Sequence, residues 1–183
     1  IALSQNITPT TNNDGNLYEA QNRFFTLAAE RALGEKSPNQ GFRVGGGVLW
    51  QDHETRGEFA PQADGASAGF FGRVDYRRIK TQIFSENAEY YGAYWEIAPK
   101  TSASDYNYQR QSVYWIRDLP LKKVEHESLH LEASMGTYRG GPARADFAAY
   151  SLGGGSGLRG YQKGSLQGNT FYQLRAEYLR PVF

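Results

Sequence analysis

The sequence predicts an all-β protein: an antiparallel meander of long strands that forms a transmembrane β-barrel or a large part of one. Three observations support this fold class. Apolar residues recur at every second position through most of the chain, which is the period of a strand with two unlike faces. Several alternating segments exceed about ten residues, the length of a tilted membrane strand. Tyrosine and tryptophan lie near the ends of these segments, as side chains at a membrane interface do.

Composition narrows the class of protein further. The chain has 183 residues, of which 21% are charged and 14% aromatic, and its mean hydropathy is −0.65. This composition is too polar for a helical membrane protein and too aromatic for a disordered chain. The lack of cysteine excludes a disulfide framework and a thiol site. A net charge of +1 gives no electrostatic reason to expect a nucleic-acid partner.

The amino-terminal residues differ in character from the rest. Residues 1–21 are polar and rich in asparagine and threonine, so we expect a loop or a short edge segment there. The barrel strands are then expected within residues 22–183. The first lies near 22–34, although the stretch RFFTLAAERALGEK is equally compatible with a short helix. The second lies near 42–54, where these large apolar side chains share one parity: Phe42, Val44, Val48 and Trp50.

The later strands are expected to carry charge on one face and apolar side chains on the other. In the strand near 67–79, Phe70 and Val74 oppose Arg73 and Asp75. In a membrane barrel, charges at alternate positions face a watery lumen. The remaining strands are expected near 83–97, 106–118, 124–138, 143–152 and 169–180, separated by turn sequences such as APQADG and RGGPA.

A glycine-rich loop with one arginine precedes the last predicted strand. Gly153, Gly154 and Gly155 give the backbone the freedom to fold back, so that Arg159 could turn into the barrel. A guanidinium in that position needs a carboxylate, because burying it unpaired is costly and its planar fork suits bidentate pairing. Glu177 lies on the polar parity of the following strand and is the expected partner.

The tetrad Leu158, Arg159, Gly160 and Tyr161, followed by a strand that ends in LRAEYLRPVF, resembles the lid-loop signature of the BamA-like outer-membrane superfamily. This superfamily, also called the bacterial surface antigen family, includes barrel-assembly factors, TamA-like factors, two-partner secretion transporters and barrels fused to patatin-like lipases. The resemblance implies that Arg159 reaches from an extracellular loop into the lumen and pairs there with Glu177. It covers about the last 35 residues specifically.

The resemblance also implies a location, an activity and partners. It implies a chain in the bacterial outer membrane, in contact with outer-membrane lipid, that inserts other barrels or moves a secreted polypeptide across the membrane. The implied partners are a client polypeptide and periplasmic docking domains or accessory proteins. No cofactor, no metal and no enzymatic activity are implied.

Two features depart from the family pattern. Its barrels usually have about sixteen strands, with further strands after the one that follows the lid loop, whereas about eight are expected here. The amino-terminal docking domains of the assembly factors, called POTRA domains, have no counterpart in the sequence. The chain, which lacks the family's last strands, is therefore expected to be either part of a longer barrel or an unusually short relative, and we favour the first.

Two alternatives come from other classes of function. The stretch HESLH matches the H-E-x-x-H motif of zinc proteases, in which two histidines one helical turn apart bind the metal and the glutamate activates water. We expect a strand here, because apolar and polar residues continue to alternate through the motif. A strand places His126 and His130 about 13 Å apart.

A soluble β-rich carbohydrate-binding module would use the same tyrosine and tryptophan residues and is the second alternative.

Overall fold

The computed structural model describes residues 2–11, 17–34, 40–58, 64–79, 87–121, 127–140, 150–152 and 166–180. Within these residues the protein is all-β and contains no helix. The predicted antiparallel meander is confirmed there, because seven consecutive strands lie side by side in one sheet and a further strand pairs with the seventh.

Eight strands form the main sheet, and every neighbouring pair is antiparallel. In their order across the sheet they are β1 (Ala2–Thr11), β2 (Leu17–Leu33), β3 (Gln40–Arg56), β4 (Gly65–Ile79), β5 (Ala88–Ala98), β6 (Tyr108–Pro120), β7 (Ser128–Gly140) and β10 (Thr170–Leu179). The short strands β8 (Tyr150–Leu152) and β9 (Leu166–Gly168) form a separate two-stranded sheet. β1 and β10 are the edges of the main sheet and do not pair with each other, so the described part of the chain forms an open sheet.

The amino-terminal elements decide between alternatives that the sequence left open. The stretch that was compatible with a helix lies in β2, which pairs with β1 on one side and with β3 on the other. A helix there would leave the facing backbone groups of both neighbours without partners, so sheet pairing outweighs the helix propensity of the alanines and leucines. Residues 2–11 form an edge strand, which is the second of the two alternatives expected for this segment, and their polar composition suits a strand with one neighbour.

The connection from β7 to β10 differs from the prediction. Of the strand expected near 143–152, the structure describes only β8, and β9 was not predicted.

Gly140 ends β7 with a φ of 86°. A Cβ at this position would lie 2.3 Å from the carbonyl oxygen of Asn107, so the end of β7 requires glycine.

Burial is distributed unequally over the two faces of the sheet. The buried cluster contains Ala98, Tyr108, Tyr138 and Tyr150. The three of these that belong to the main sheet share its polar parity with Glu96, which is also buried. Large apolar side chains on the opposite face are exposed. The core of the described structure therefore lies on the side that carries the charges.

Candidate functional site

The exposed side of the sheet, called the apolar face below, is continuous across six strands. One row of residues in register runs across it from β3 to β10: Val44, Val74, Ala93, Val113, Met135 and Tyr172. Phe70 on the same face is 63% exposed and Leu174 is 84% exposed. An exposed patch of this extent, beyond single scattered side chains, indicates contact with lipid or another apolar surface.

Charged side chains border the apolar face at both ends. At one end, Arg78, Glu89 and Arg117 are partners in register on β4, β5 and β6. At the other end, Arg23 on β2 lies 3.2 Å from the carboxylate of Asp52 on β3. The apolar side chains therefore form a band of limited height, which we call the apolar band.

Aromatic residues line the band beside the first charged border. Phe42, Tyr76, Tyr91 and Trp115 are partners in register on four neighbouring strands. The rings of Tyr76 and Tyr91 stack with centroids 4.8 Å apart, and those of Phe42 and Tyr76 are 4.9 Å apart. A row of Tyr and Trp between apolar and charged side chains is typical of a membrane interface.

The apolar band runs obliquely to the hydrogen-bond register. On β3 it extends to Trp50, whereas on β10 it ends at Tyr172, which lies in the same row as Val44 of β3. The border of the apolar band therefore shifts by six residues along the strands between β3 and β10, which are separated by five strand pairings. At about 3.3 Å per residue and about 4.8 Å between strands, this shift corresponds to strands tilted by about 40° from the normal to the band.

The opposite side, called the polar face below, is crossed by ion pairs between strands. Glu30 on β2 contacts Arg43 on β3 at 2.9 Å and also contacts Arg73 on β4. On the other half of the sheet, Arg175 of β10 lies 3.7 Å from Glu132 of β7. The Glu30–Arg43 and Glu132–Arg175 pairs join neighbouring strands, and the Glu30–Arg73 pair reaches across β3. These pairs neutralise charges on the polar face.

A buried group of polar side chains, the Tyr108 cluster, lies on the same face. The Tyr108 hydroxyl donates to Oε1 of Glu96 at 2.5 Å and accepts a hydrogen bond from Nε2 of Gln51 at 3.0 Å. The Tyr94 hydroxyl donates to Oε2 of Glu96 at 2.6 Å. Ser67 Oγ lies 3.4 Å from the Tyr108 hydroxyl. The cluster ties β3, β4, β5 and β6 together, and the sequence pattern did not single it out because its members come from four separate strands.

Tyr150 of β8 lies against the polar face beside this cluster. Its hydroxyl donates to the backbone carbonyl of Gln111 at 2.6 Å, and its ring centroid is 4.5 Å from that of Phe171. The guanidinium of Arg110 lies 4.6 Å from the Tyr150 ring centroid, which is within cation–π range. A Cβ at Gly136 would lie 2.6 Å from the ring of Tyr150, so glycine makes room for this contact. β8 is thus held against the polar face through Tyr150.

The loops at one end of the sheet are tied by short polar contacts. Asp64 accepts hydrogen bonds from the backbone N–H and the hydroxyl of Thr55 at 2.7 and 2.9 Å. The Tyr106 hydroxyl donates to the carbonyl of Asp64 at 2.8 Å, and the Asp105 carboxylate accepts from the Ala66 N–H at 2.8 Å. Burial raises the pKa of the Tyr106 hydroxyl, and the neighbouring carboxylates of Asp105 and Asp64 raise it further.

The predicted pair between Arg159 and Glu177 is called the latch below. Of its two residues, only Glu177 lies among the described residues. Leu158, Arg159, Gly160, Tyr161 and the glycines Gly153, Gly154 and Gly155 lie outside the described residues. Glu177 lies on the polar face as predicted, because Gln173, Arg175 and Glu177 are half-buried while the alternate residues of β10 are exposed. Its Oε1 lies 2.8 Å from the Arg175 guanidinium, a contact that sequence reasoning missed although the two residues share one parity.

The H-E-x-x-H stretch enters a strand and not a helix. His126 lies outside the described residues, Glu127 directly precedes β7, and His130 belongs to it. His130 Nδ1 lies 2.6 Å from Asp118, its partner in register on β6, and Glu127 accepts a hydrogen bond from the Tyr178 hydroxyl. Among the described residues, no three side chains of the metal-binding types are grouped so that they could hold a metal ion.

Comparisons with known proteins identify no relative. No protein-family model, no curated protein and no solved structure matches the chain. Among the described residues, no helix has the length and apolar character needed to cross a membrane. The features of the described residues that bear on function are therefore the two faces of the sheet and their geometry.

Proposed function

We propose that the chain is a bacterial outer-membrane β-barrel or a large part of one, similar to the BamA-like superfamily, that inserts other barrels or moves a polypeptide across the outer membrane. The observation that carries this proposal is the inverted burial of the sheet. Glu96 on the polar face is 6% exposed, whereas Leu174 on the apolar face is 84% exposed. In water this arrangement is unfavourable, but in a bilayer the apolar band contacts lipid and the polar face lines the lumen.

The slope of the apolar band supports the membrane assignment. Strands of membrane barrels tilt by about 35–45° from the membrane normal, so a horizontal bilayer meets each successive strand about one residue further along. The six-position shift from Trp50 to the row of Val44 has this size. A flat sandwich face packed on a second sheet gives no reason for such a regular shift.

The polar contact of Tyr150 supports an inward-folded lid. Tyr150 contacts the polar face through its hydrogen bond to Gln111 and precedes the lid-loop tetrad in the sequence. We propose that Arg159 folds inward and joins Glu177 and Arg175 in one charged group. Such a lid holds the barrel's shape without closing the edges of the sheet.

The two edges of the sheet supply the physical basis for the activity. The outer sides of β1 and β10 present backbone donors and acceptors that another strand can pair with. A client strand that adds to such an edge gains main-chain hydrogen bonds irrespective of its side chains. We propose that client polypeptides are engaged in this way.

A matched pair of substitutions tests the membrane assignment. Leu174 and Gln173 are neighbours on β10 that face opposite sides of the sheet. Leu174→Lys should block insertion into lipid vesicles, since a lysine near the middle of a lipid-facing strand costs about 2–4 kcal/mol. Gln173→Lys should insert like the parent protein. Equal insertion of both variants, or a parent protein that stays monomeric and soluble without detergent, contradicts the proposal and favours the carbohydrate-binding alternative.

A reconstitution assay tests the activity itself. Vesicles that contain the full polypeptide should accelerate the folding of an unfolded outer-membrane barrel client, or the uptake of a secreted polypeptide, relative to empty vesicles. The Gln173→Lys protein is the control for a barrel that inserts with an altered lumen charge. A protein that inserts correctly but accelerates neither process retains the membrane assignment and loses the proposed activity.

A further inference from the structure

The apolar band contains a groove beside its aromatic row. The groove has a volume of about 620 Å³ and extends from β3 to β10. Its lining includes Val74, Tyr91, Ala93, Trp115, Ala133 and Leu174. Trp115 is the partner in register of Ala133, so a small side chain lies beside a large ring and leaves a depression in the surface. The lining suits a flexible, fully apolar ligand.

A group of three charges lies directly beyond the aromatic row. Arg78, Glu89 and Arg117 are neighbours in register on β4, β5 and β6, each two residues from a member of that row. Arg117 Nη1 lies 4.0 Å from Glu89 Oε1, and the Arg117 side chain is 45% exposed. Arg78 is exposed as well. Two guanidinium groups around one carboxylate leave one net positive charge for an anion.

We propose that the groove and these charges together bind one anionic phospholipid, with an acyl chain in the groove and its phosphate between Arg78 and Arg117. The inference rests on the proposed location in a membrane. Guanidinium groups pair with phosphate through planar, bidentate hydrogen bonds, which a single lysine cannot provide. Tyr76, Tyr91 and Trp115 lie between the two parts, at the depth where aromatic rings contact the glycerol and headgroup region.

The end of the sheet decides which lipid the site meets. The charges lie at the end where β4 leads to β5 and β6 leads to β7, opposite the end where β7 leads into the segment that precedes β8. Under the proposed function, that segment contains the lid loop on the outer side. The site therefore faces the periplasmic leaflet, whose lipids are phospholipids with one headgroup phosphodiester, and we assign it to these lipids.

Tryptophan fluorescence can locate the acyl chain. The sequence contains three tryptophans, so Trp50→Phe and Trp95→Phe, with any tryptophan of the full polypeptide outside residues 1–183 also replaced by Phe, leave Trp115 as the fluorophore. This protein is reconstituted in phosphatidylcholine vesicles, and either phosphatidylglycerol or phosphatidylcholine with brominated chains is added in increasing amounts. We expect brominated phosphatidylglycerol to quench Trp115 at several-fold lower mole fraction than brominated phosphatidylcholine.

Charge and groove variants separate the site from general attraction to anionic lipid. Arg78→Gln and Arg117→Gln should each reduce the preference for phosphatidylglycerol about fivefold, the usual contribution of one basic residue at an anionic surface. Arg139→Gln is the matched control, because Arg139 is exposed on the same face at the opposite end of β7. Ala133→Phe fills the groove without changing charge and should reduce quenching by both brominated lipids.

The outcomes distinguish this inference from the proposed function. Equal quenching by the two lipids, or an equal loss of preference in Arg139→Gln, overturns the phospholipid site and leaves the membrane assignment intact. Unchanged quenching in Ala133→Phe overturns the groove as the place of the acyl chain. If neither brominated lipid quenches Trp115, the protein has not inserted, and the proposed membrane location fails together with the lipid site.

Discussion

The Tyr108 hydroxyl donates a 2.5 Å hydrogen bond to Glu96, and both side chains are buried on the polar face of a sheet whose other face is exposed. The same carboxylate accepts a second hydroxyl hydrogen bond from Tyr94. The two bonds hold the carboxylate in one orientation, and the bond from Tyr108 joins β6 to β5. Buried polar groups that are fully paired in this way stabilise one arrangement of the strands over others.

Removing the hydroxyl of Tyr108 should destabilise the protein. Tyr108→Phe deprives Glu96 of a donor and Gln51 of an acceptor in a buried site, and we expect the free energy of unfolding to fall by about 1–3 kcal/mol. Urea titration of the protein in lipid vesicles measures the change. Tyr172→Phe is the control, because Tyr172 is exposed on the apolar face and its loss should stay within about 0.5 kcal/mol. Equal effects of the two substitutions contradict the role of the Tyr108 cluster.

Tyr150 should anchor the segment between β7 and β10 on the polar face. Tyr150→Ala removes the hydrogen bond to Gln111 and the contacts with Arg110 and Phe171, which together contribute about 2 kcal/mol. Limited proteolysis within residues 141–165 should become about thirtyfold faster while circular dichroism stays that of the parent protein. Leu166→Ala, in the same segment, should leave the cleavage rate nearly unchanged. A Tyr150→Ala protein with the parent's cleavage rate excludes the anchor.

The room for Tyr150 depends on Gly136. A Cβ at Gly136 would lie 2.6 Å from both the Tyr150 and the Phe171 ring, so Gly136→Ala must displace at least one of them. We expect this variant to show the same faster proteolysis as Tyr150→Ala. Gly168→Ala is the control, since a Cβ there has only an ordinary contact of 3.6 Å. Slow cleavage in Gly136→Ala would mean that the rings adjust within the site at little cost.

The sequence predicted the faces of the strands better than their connections. Alternation placed Val44, Val74 and Met135 on one side and Arg73 and Glu177 on the other, and the register confirms each assignment. The faces are predictable because successive side chains of a strand point to opposite sides of the sheet. Once one residue is assigned to a face, the faces of all other residues in that strand follow. The ends of strands were less certain, since β2 and β3 each extend beyond the predicted segments.

Contacts between distant strands were not predictable from a single sequence. The Tyr108 cluster joins Gln51, Ser67, Glu96 and Tyr108, and no local pattern links these positions. The oblique course of the apolar band also needs the register between strands, which depends on turns and pairing. The salt bridge between Arg175 and Glu177 was not predicted, because parity places both side chains on one face but does not fix the rotamers that bring them to 2.8 Å.

The remaining prediction concerns the proposed latch between Arg159 and Glu177. A confined pair of this kind costs about 3–5 kcal/mol to break when fully buried and about 0–1 kcal/mol when hydrated, so a lumen site should lie towards the smaller value. Arg159→Ala should therefore impair client insertion or transport more strongly than it lowers the free energy of unfolding. Reconstituted vesicles measure the first effect and urea titration the second.

A double-mutant cycle decides whether the latch uses Glu177. Because Glu177 also contacts Arg175 at 2.8 Å, Glu177→Ala alone removes two interactions and cannot isolate the latch. If Arg159 binds Glu177, the double variant Arg159→Ala/Glu177→Ala should transport no worse than Glu177→Ala alone, since the second substitution removes a bond that is already broken. Arg175→Gln serves as the control that keeps Glu177 but loses the Arg175 contacts with Glu177 and Glu132. Fully additive losses in the double variant exclude Glu177 as the partner and direct the search to another carboxylate on the polar face, such as Glu132.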